Sequence, residues 1–330
     1  MPLLQYIDYA AYLPAGNSAY DVWAGNLNNN IFVANRGIGL SVLQFSATGT
    51  LSYRASVITR ADPHISGVSG DDNFQYLVDD WDGDIISFTT PPVGESVIVD
   101  TINGGAPRKI WADNLGHIFV GSFGGLKIYD ISITGLITLN STPYGGINFD
   151  ICGCESYIFS ARSSSGVYVY SWLESMPGLD DYSLTLLSSA VTPQIAVSVW
   201  GSNSWVCVGS QSSGWPQTGS IYVYSHVNGI LTYKSTTAMP RPVVAIAGNG
   251  NYIYSSCKDS GIYLHQINPD GTLTQIAQDY QAGGNYGRST MSSGFLFITN
   301  VGNGVYSYKV GMAPTSLFYG PLVGCFGGPV

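Results

Sequence analysis

The stretch IFVGSFGGLKIYDI, Ile118 to Ile131, holds two apolar runs with a short Gly-rich break between them. In the second run Leu126 and Ile128 alternate with Lys127 and Tyr129. Side chains two apart lie on the same face of a strand, so this alternation predicts a strand with one face inward. The break is short enough for a hairpin. Gly125 then serves one of two needs, a positive φ or a close approach of neighbouring backbone.

The same grammar recurs along the chain. Strand cores begin at Ile31 (IFVAN), Tyr76 (YLVDD), Ile118 (IFVGS), Tyr157 (YIFSA), Val206 (VCVGS), Tyr252 (YIYSS) and Leu296 (LFITN), at intervals of 45, 42, 39, 49, 46 and 44 residues. Each is followed by a Gly and an alternating strand, with the glycines at 39, 83, 125, 166, 219, 261 and 304. Further strands precede each pair, such as YDVWAG and KIWADN, and follow it, such as GTLSYRASVI and GILTYKSTT. A repeat of roughly 40–50 residues with four strands per unit is the mark of a propeller blade. One blade cannot bury both of its faces, but seven arranged radially can. The expectation is an all-β, seven-bladed β-propeller of four-stranded antiparallel blades, as a single domain over residues 1–330. Two segments could supply a missing fourth strand and close the ring: LLQYIDYAAYLPAG near the start and TSLFYGPLVGCFGGPV at the end. In the fifth unit QSSGWPQT lengthens the hairpin before Gly219, a candidate contact surface.

Composition narrows the function. Only 10% of residues are charged and the net charge is -9. The 12 Lys and Arg are scattered along the chain, whereas binding a phosphate backbone needs a clustered basic face. Nucleic acid is therefore not an expected partner. No apolar run reaches the roughly 18 residues of a membrane-spanning helix, so membrane insertion is not expected either. The first residues, MPLLQYIDYA, lack a basic n-region and carry Asp8, a poor signal peptide. These features point to the cytoplasm or the inside of an assembled particle. The five cysteines, Cys152, Cys154, Cys207, Cys257 and Cys325, are odd in number and irregular in spacing, which suits structural thiols in strand cores.

Three stretches carry a resemblance to a known family: DPHISGVSGDDNFQYLVDDWDGDIISF from Asp62, GGAPRKIWADNLGHIFVGSFGGLKIY from Gly104, and INPDGTLTQIAQDYQAGGNYGR from Ile267. Together they resemble the seven-bladed lactonase propellers, the 6-phosphogluconolactonase type with its muconate-cyclase relatives. The resemblance implies the propeller fold and hydrolysis of a sugar lactone. That chemistry needs a base to activate water and a cation to hold a phosphate or developing oxyanion. His64 matches the first His of the family's His pair, and Ser66 stands where the second would be. Arg108 matches the Arg of its Arg-His pair, and Lys109 replaces the His. The Glu expected after the third strand core is missing, because the sequence there reads VGSFGG. The resemblance therefore implies His64, Arg108 and Lys109 as a partial catalytic set.

Two other sets are candidates. Asp80, Asp82 and Asp84 alternate in DDWDGDII. A strand would place them on one face, where clustered carboxylates suit calcium, and an Asp-based turn explains them equally. Trp81, Trp111, Trp205 and Trp215 lie near hairpins or strand starts and are candidates for a binding surface. The partial catalytic set favours a non-catalytic binding or structural propeller with protein partners or self-assembly, and the low charge and high Gly, Ser, Asn and Tyr content suit a larger assembly such as a virion or sheath. A lactonase and a carbohydrate-binding propeller are the alternatives.

Overall fold

The computed structural model describes residues 3–10, 18–25, 29–58, 63–71, 73–89, 96–113, 115–154, 157–174, 182–282, 284–301 and 304–311. Seven antiparallel sheets of four strands each follow one another along the chain. Their innermost strands are Ser18–Ala24, Ile65–Gly70, Pro107–Ala112, Asp150–Cys154, Ile195–Gly201, Val243–Asn249 and Tyr286–Ser292. Each innermost strand contacts the next, and the last contacts the first, so the sheets close into a ring around a central channel. This is the seven-bladed β-propeller that the repeat predicts.

Closure is made by the N-terminal segment. Leu3–Ala10 pairs antiparallel with Gly304–Gly311 as the outermost strand of blade 7, from Leu3 opposite Gly311 to Ala10 opposite Val305. Tyr6 sets its ring edge-on to Tyr308 at 5.7 Å between centroids. Asp8 Oδ2 accepts the Leu51 N–H of blade 1 at 2.9 Å, which ties the closing strand to the next blade. The alternative closing segment, residues 315–330 with Cys325, lies outside the described residues.

The core runs between blades. Each buried Trp removes roughly 150–250 Å² from water, and here such rings sit on glycines of the neighbouring blade. Trp23 of blade 1 lies where a Cβ on Gly70 of blade 2 would stand 2.8 Å from its ring. Trp111 of blade 3 covers Gly153 of blade 4, and Trp200 of blade 5 covers Gly248 of blade 6 in the same way. The glycines after the strand cores meet both expected needs. Gly125 has a φ of 131°, whereas a Cβ on Gly219 would stand 2.6 Å from the Arg241 carbonyl. Cys152, Cys154, Cys207 and Cys257 are buried, as small core residues. No helix among the described residues is long and apolar enough to cross a membrane.

Candidate functional site

Six of the seven innermost strands slip register near their start, the exception being Asp150–Cys154. A bulge re-aims the side chains beside it. Here that happens at one end of the channel, where the innermost strands begin. The hairpins between the second and third strands of each blade open at this same end. Bridges such as Arg36 with His64 and Ser163 with Ala196 join them to the start of the next blade. We call this end the mouth.

Just inside the mouth, charged side chains cross the channel. Lys109 of blade 3 reaches over blade 2 and donates from Nζ to Asp21 Oδ2 of blade 1 at 2.6 Å. The Asp21 side chain is 1% exposed and that of Lys109 13%. Asp21 Oδ2 also accepts the Val68 N–H of blade 2 at 3.0 Å. Arg288 of blade 7 spans to blade 4, where Nη1 lies 2.9 Å from Asp150 Oδ2 and Nη2 donates to the Phe149 carbonyl at 2.9 Å. Asp150 Oδ2 further accepts the Val199 N–H of blade 5. Burial pushes the Asp150 carboxyl up, while Arg288, Lys109 and the Val199 N–H pull it back. Two ion pairs thus fasten the inner strands of four blades and occupy the channel.

Above them lies a rim of guanidinium groups on aromatic rings. Arg36 stacks over Tyr20 at 4.2 Å and pairs with Asp80 at 3.2 Å. Arg162 stacks over Tyr168 at 4.4 Å, donates to the Tyr170 hydroxyl at 3.2 Å and binds the Gly145 carbonyl. Arg108 stacks over Phe123 at 3.8 Å and faces Phe149 at 5.2 Å. Burial pulls the Arg108 pKa down. Asp80 opposes this, and Arg288 and Arg36 reinforce it. Arginine keeps its proton at neutral pH regardless.

The structure brings His64, Arg108 and Lys109 to the same end of neighbouring blades but engages each separately. The His64 ring lies against the Trp81 indole at 5.0 Å, and its backbone N–H is held by Asp79 Oδ2 at 3.0 Å. Among the described residues no hydrogen bond to the His64 ring is present. Ser66 Oγ binds the Arg108 carbonyl at 3.2 Å, a structural tie between blades. Lys109 is committed to Asp21.

The aspartates do not alternate along one strand, which corrects the premise of that expectation. Asp80 and Asp82 lie in the hairpin turn, and only Asp84 begins the next strand, Asp84–Thr89. Asp79 Oδ1 accepts the N–H groups of Trp81 and Asp82, so this is an Asp-capped turn. Asp80 is taken by Arg36, and among the described residues no three metal-ligating side chains gather.

The tryptophans divide. Trp81 is 75% exposed and Trp215 92%, both at hairpin tips on the mouth face. Trp111 is a correction: it is 8% exposed, because Phe119 and Gly153 enclose its ring. Trp205 is half-buried against the core of blades 5 and 6. Asp21, Asp150 and Arg288 escape the sequence reading. Their signal is a single charge in each of three innermost strands, in a chain with few charges to place.

No family model matches the chain, and no curated protein matches it. Solved structures do. The WD40 repeats of RRP9 superpose with a TM-score of 0.72 at 12% identity, covering 94% of this chain and 100% of that one. U3-55K gives 0.69 at 12% identity, over 92% of this chain and 98% of that one. A candidate 6-phosphogluconolactonase from Bacteroides uniformis gives 0.61 at 17% identity, over 79% of this chain and 84% of that one. The likeness is one of fold. Identities this low extend no activity to the present chain.

Proposed function

We propose that this chain is a non-catalytic propeller that docks protein partners on its mouth face. The observation that carries this reading is the exposure of Trp81 and Trp215 at hairpin tips on the face that also carries ring-stacked arginines. Trp and Arg dominate the energetically decisive residues of protein interfaces, because each combines a large contact area with a polar handle. Phe123 and Ile147 add exposed apolar surface on the same face. Further support comes from the channel itself. Lys109, one of the groups that a lactonase would use, is spent on holding blades together in its pair with Asp21. The likeness in fold to the WD40 repeats of RRP9 and to a chain of a mitotic checkpoint complex supports a scaffold that binds proteins.

The test is affinity capture from the native source with wild type, Trp81→Ala/Trp215→Ala, and Ile133→Asn on the opposite face as control. Proteins retained by wild type and the control but lost by the double variant are the expected result. Identical sets from all three would remove the mouth face as the docking surface.

A further inference from the structure

Among the ring-stacked and channel-spanning cations of the mouth, Arg108 stands apart. Arg36 has the Asp80 carboxylate, Arg288 has Asp150, Lys109 has Asp21, and Arg162 has the Tyr170 hydroxyl and the Gly145 carbonyl. The Arg108 guanidinium has rings only. It lies over Phe123 and beside Phe149, and its buried Nε has no hydrogen-bond partner. Among the described residues no carboxylate stands within ion-pair distance of it.

Stacking holds a guanidinium plane in place while leaving its edge free, and that edge matches a carboxylate through two parallel hydrogen bonds. Ring stacking also fixes the fork in advance, so little side-chain freedom remains to be lost on binding. The surroundings set the charge of the ligand. The flanking pairs Arg36–Asp80, Arg288–Asp150 and Lys109–Asp21 are each balanced. Arg108 is left without a carboxylate, as is Arg162 with its neutral partners, so the ligand that suits this edge is an anion. The surface next to it is apolar, with Phe123 45% exposed and Ile147 40% exposed.

We infer that the mouth between blades 3 and 4 takes an acidic peptide segment of a partner protein, with an Asp or Glu carboxylate on the Arg108 edge and an adjoining aromatic or aliphatic residue against Phe123 and Ile147. This rests on the docking role of the mouth face and specifies its ligand.

The probe is a random peptide display library of about twelve residues, selected on the immobilised protein; enriched peptides are then measured by fluorescence anisotropy. Asp or Glu beside an apolar residue is the expected motif. Changing that acid to its amide, or Arg108→Met in the propeller, is expected to weaken binding by about tenfold or more, as for loss of a charge-assisted pair. Arg108→Met keeps the packing on Phe123, and its thermal melting checks the fold. Arg108→Glu should turn the selection toward Lys and Arg. Acidic peptides that bind Arg108→Met as well as wild type overturn the inference, as does a library with no acidic enrichment. Enriched neutral peptides that Trp81→Ala/Trp215→Ala loses would leave the docking face standing and the carboxylate assignment refuted. Self-association of the wild type that Arg108→Met abolishes would place the carboxylate on a second copy and overturn the assignment to a foreign segment.

Discussion

Lys109 stands 2.6 Å from Asp21 across the full width of blade 2, so a side chain of blade 3 is anchored in blade 1. Asp21 is buried and Lys109 largely so, and removing Lys109 strands the Asp21 charge. Lys109→Met is expected to lower stability by about 3–5 kcal/mol in urea unfolding. Asp21→Asn/Lys109→Met, which keeps an acceptor for the Val68 N–H, should recover most of that loss. A free surface lysine would show neither the loss nor the recovery.

The contact of Trp111 with Gly153 gives a second prediction. A methyl group at residue 153 would fall inside the indole, and a packed core accommodates such insertion poorly. Gly153→Ala should cost about 1–3 kcal/mol. Gly214→Ala, whose Cβ would meet nothing within 4 Å, should change stability by less than about 0.5 kcal/mol. Chemical denaturation of the two variants beside wild type separates them.

Ring closure by Leu3–Ala10 makes the N-terminus part of the fold. Deleting residues 1–10 leaves the strand Gly304–Gly311 as an unpaired edge and strips Tyr6 from Tyr308. Exposed edges template further pairing. The truncated chain should melt well below wild type and aggregate, and a synthetic peptide of residues 1–12 should raise its melting temperature. An unchanged melting curve would contradict this closure.

His265 supplies a pH dependence. It is 1% exposed, and burial pulls its pKa down to about 4. Between that value and the ordinary His range near 6.5, the unfolded chain binds a proton that the folded chain does not. The stability present above pH 6.5 is therefore lost as pH falls toward 4, at up to about 1.4 kcal/mol per pH unit. His265→Leu should flatten this part of the stability profile, measured by urea melts across the window.

How far the sequence reaches depends on what repeats. Alternating runs such as GLKIYDI and the recurring Gly carry the blade pattern, because strand pairing and inter-blade packing impose the same constraint seven times. The mouth is different. Lys109 and Asp21 are 88 positions apart and meet only because two bulged strands face one channel. Nothing local in YDVWAG announces that pairing. The Asp80 to Asp84 alternation misleads for the opposite reason: a turn interrupts the strand on which alternation has meaning. Trp111 sits near a hairpin in the chain, yet the glycine of the next blade draws its ring into the core. His64 draws notice only through the resemblance of its segment, while its surroundings, Trp81 beside the ring and Asp79 on the backbone, belong to a capped turn.

The central claim is that the mouth serves binding and blade cohesion, with no turnover. The most direct measurement is hydrolysis of 6-phosphogluconolactone by the purified protein beside His64→Ala/Arg108→Ala. Opening of the lactone at the spontaneous rate with both proteins is the predicted result. Acceleration by wild type that disappears in the double variant would contradict the account and return His64 and Arg108 to catalysis.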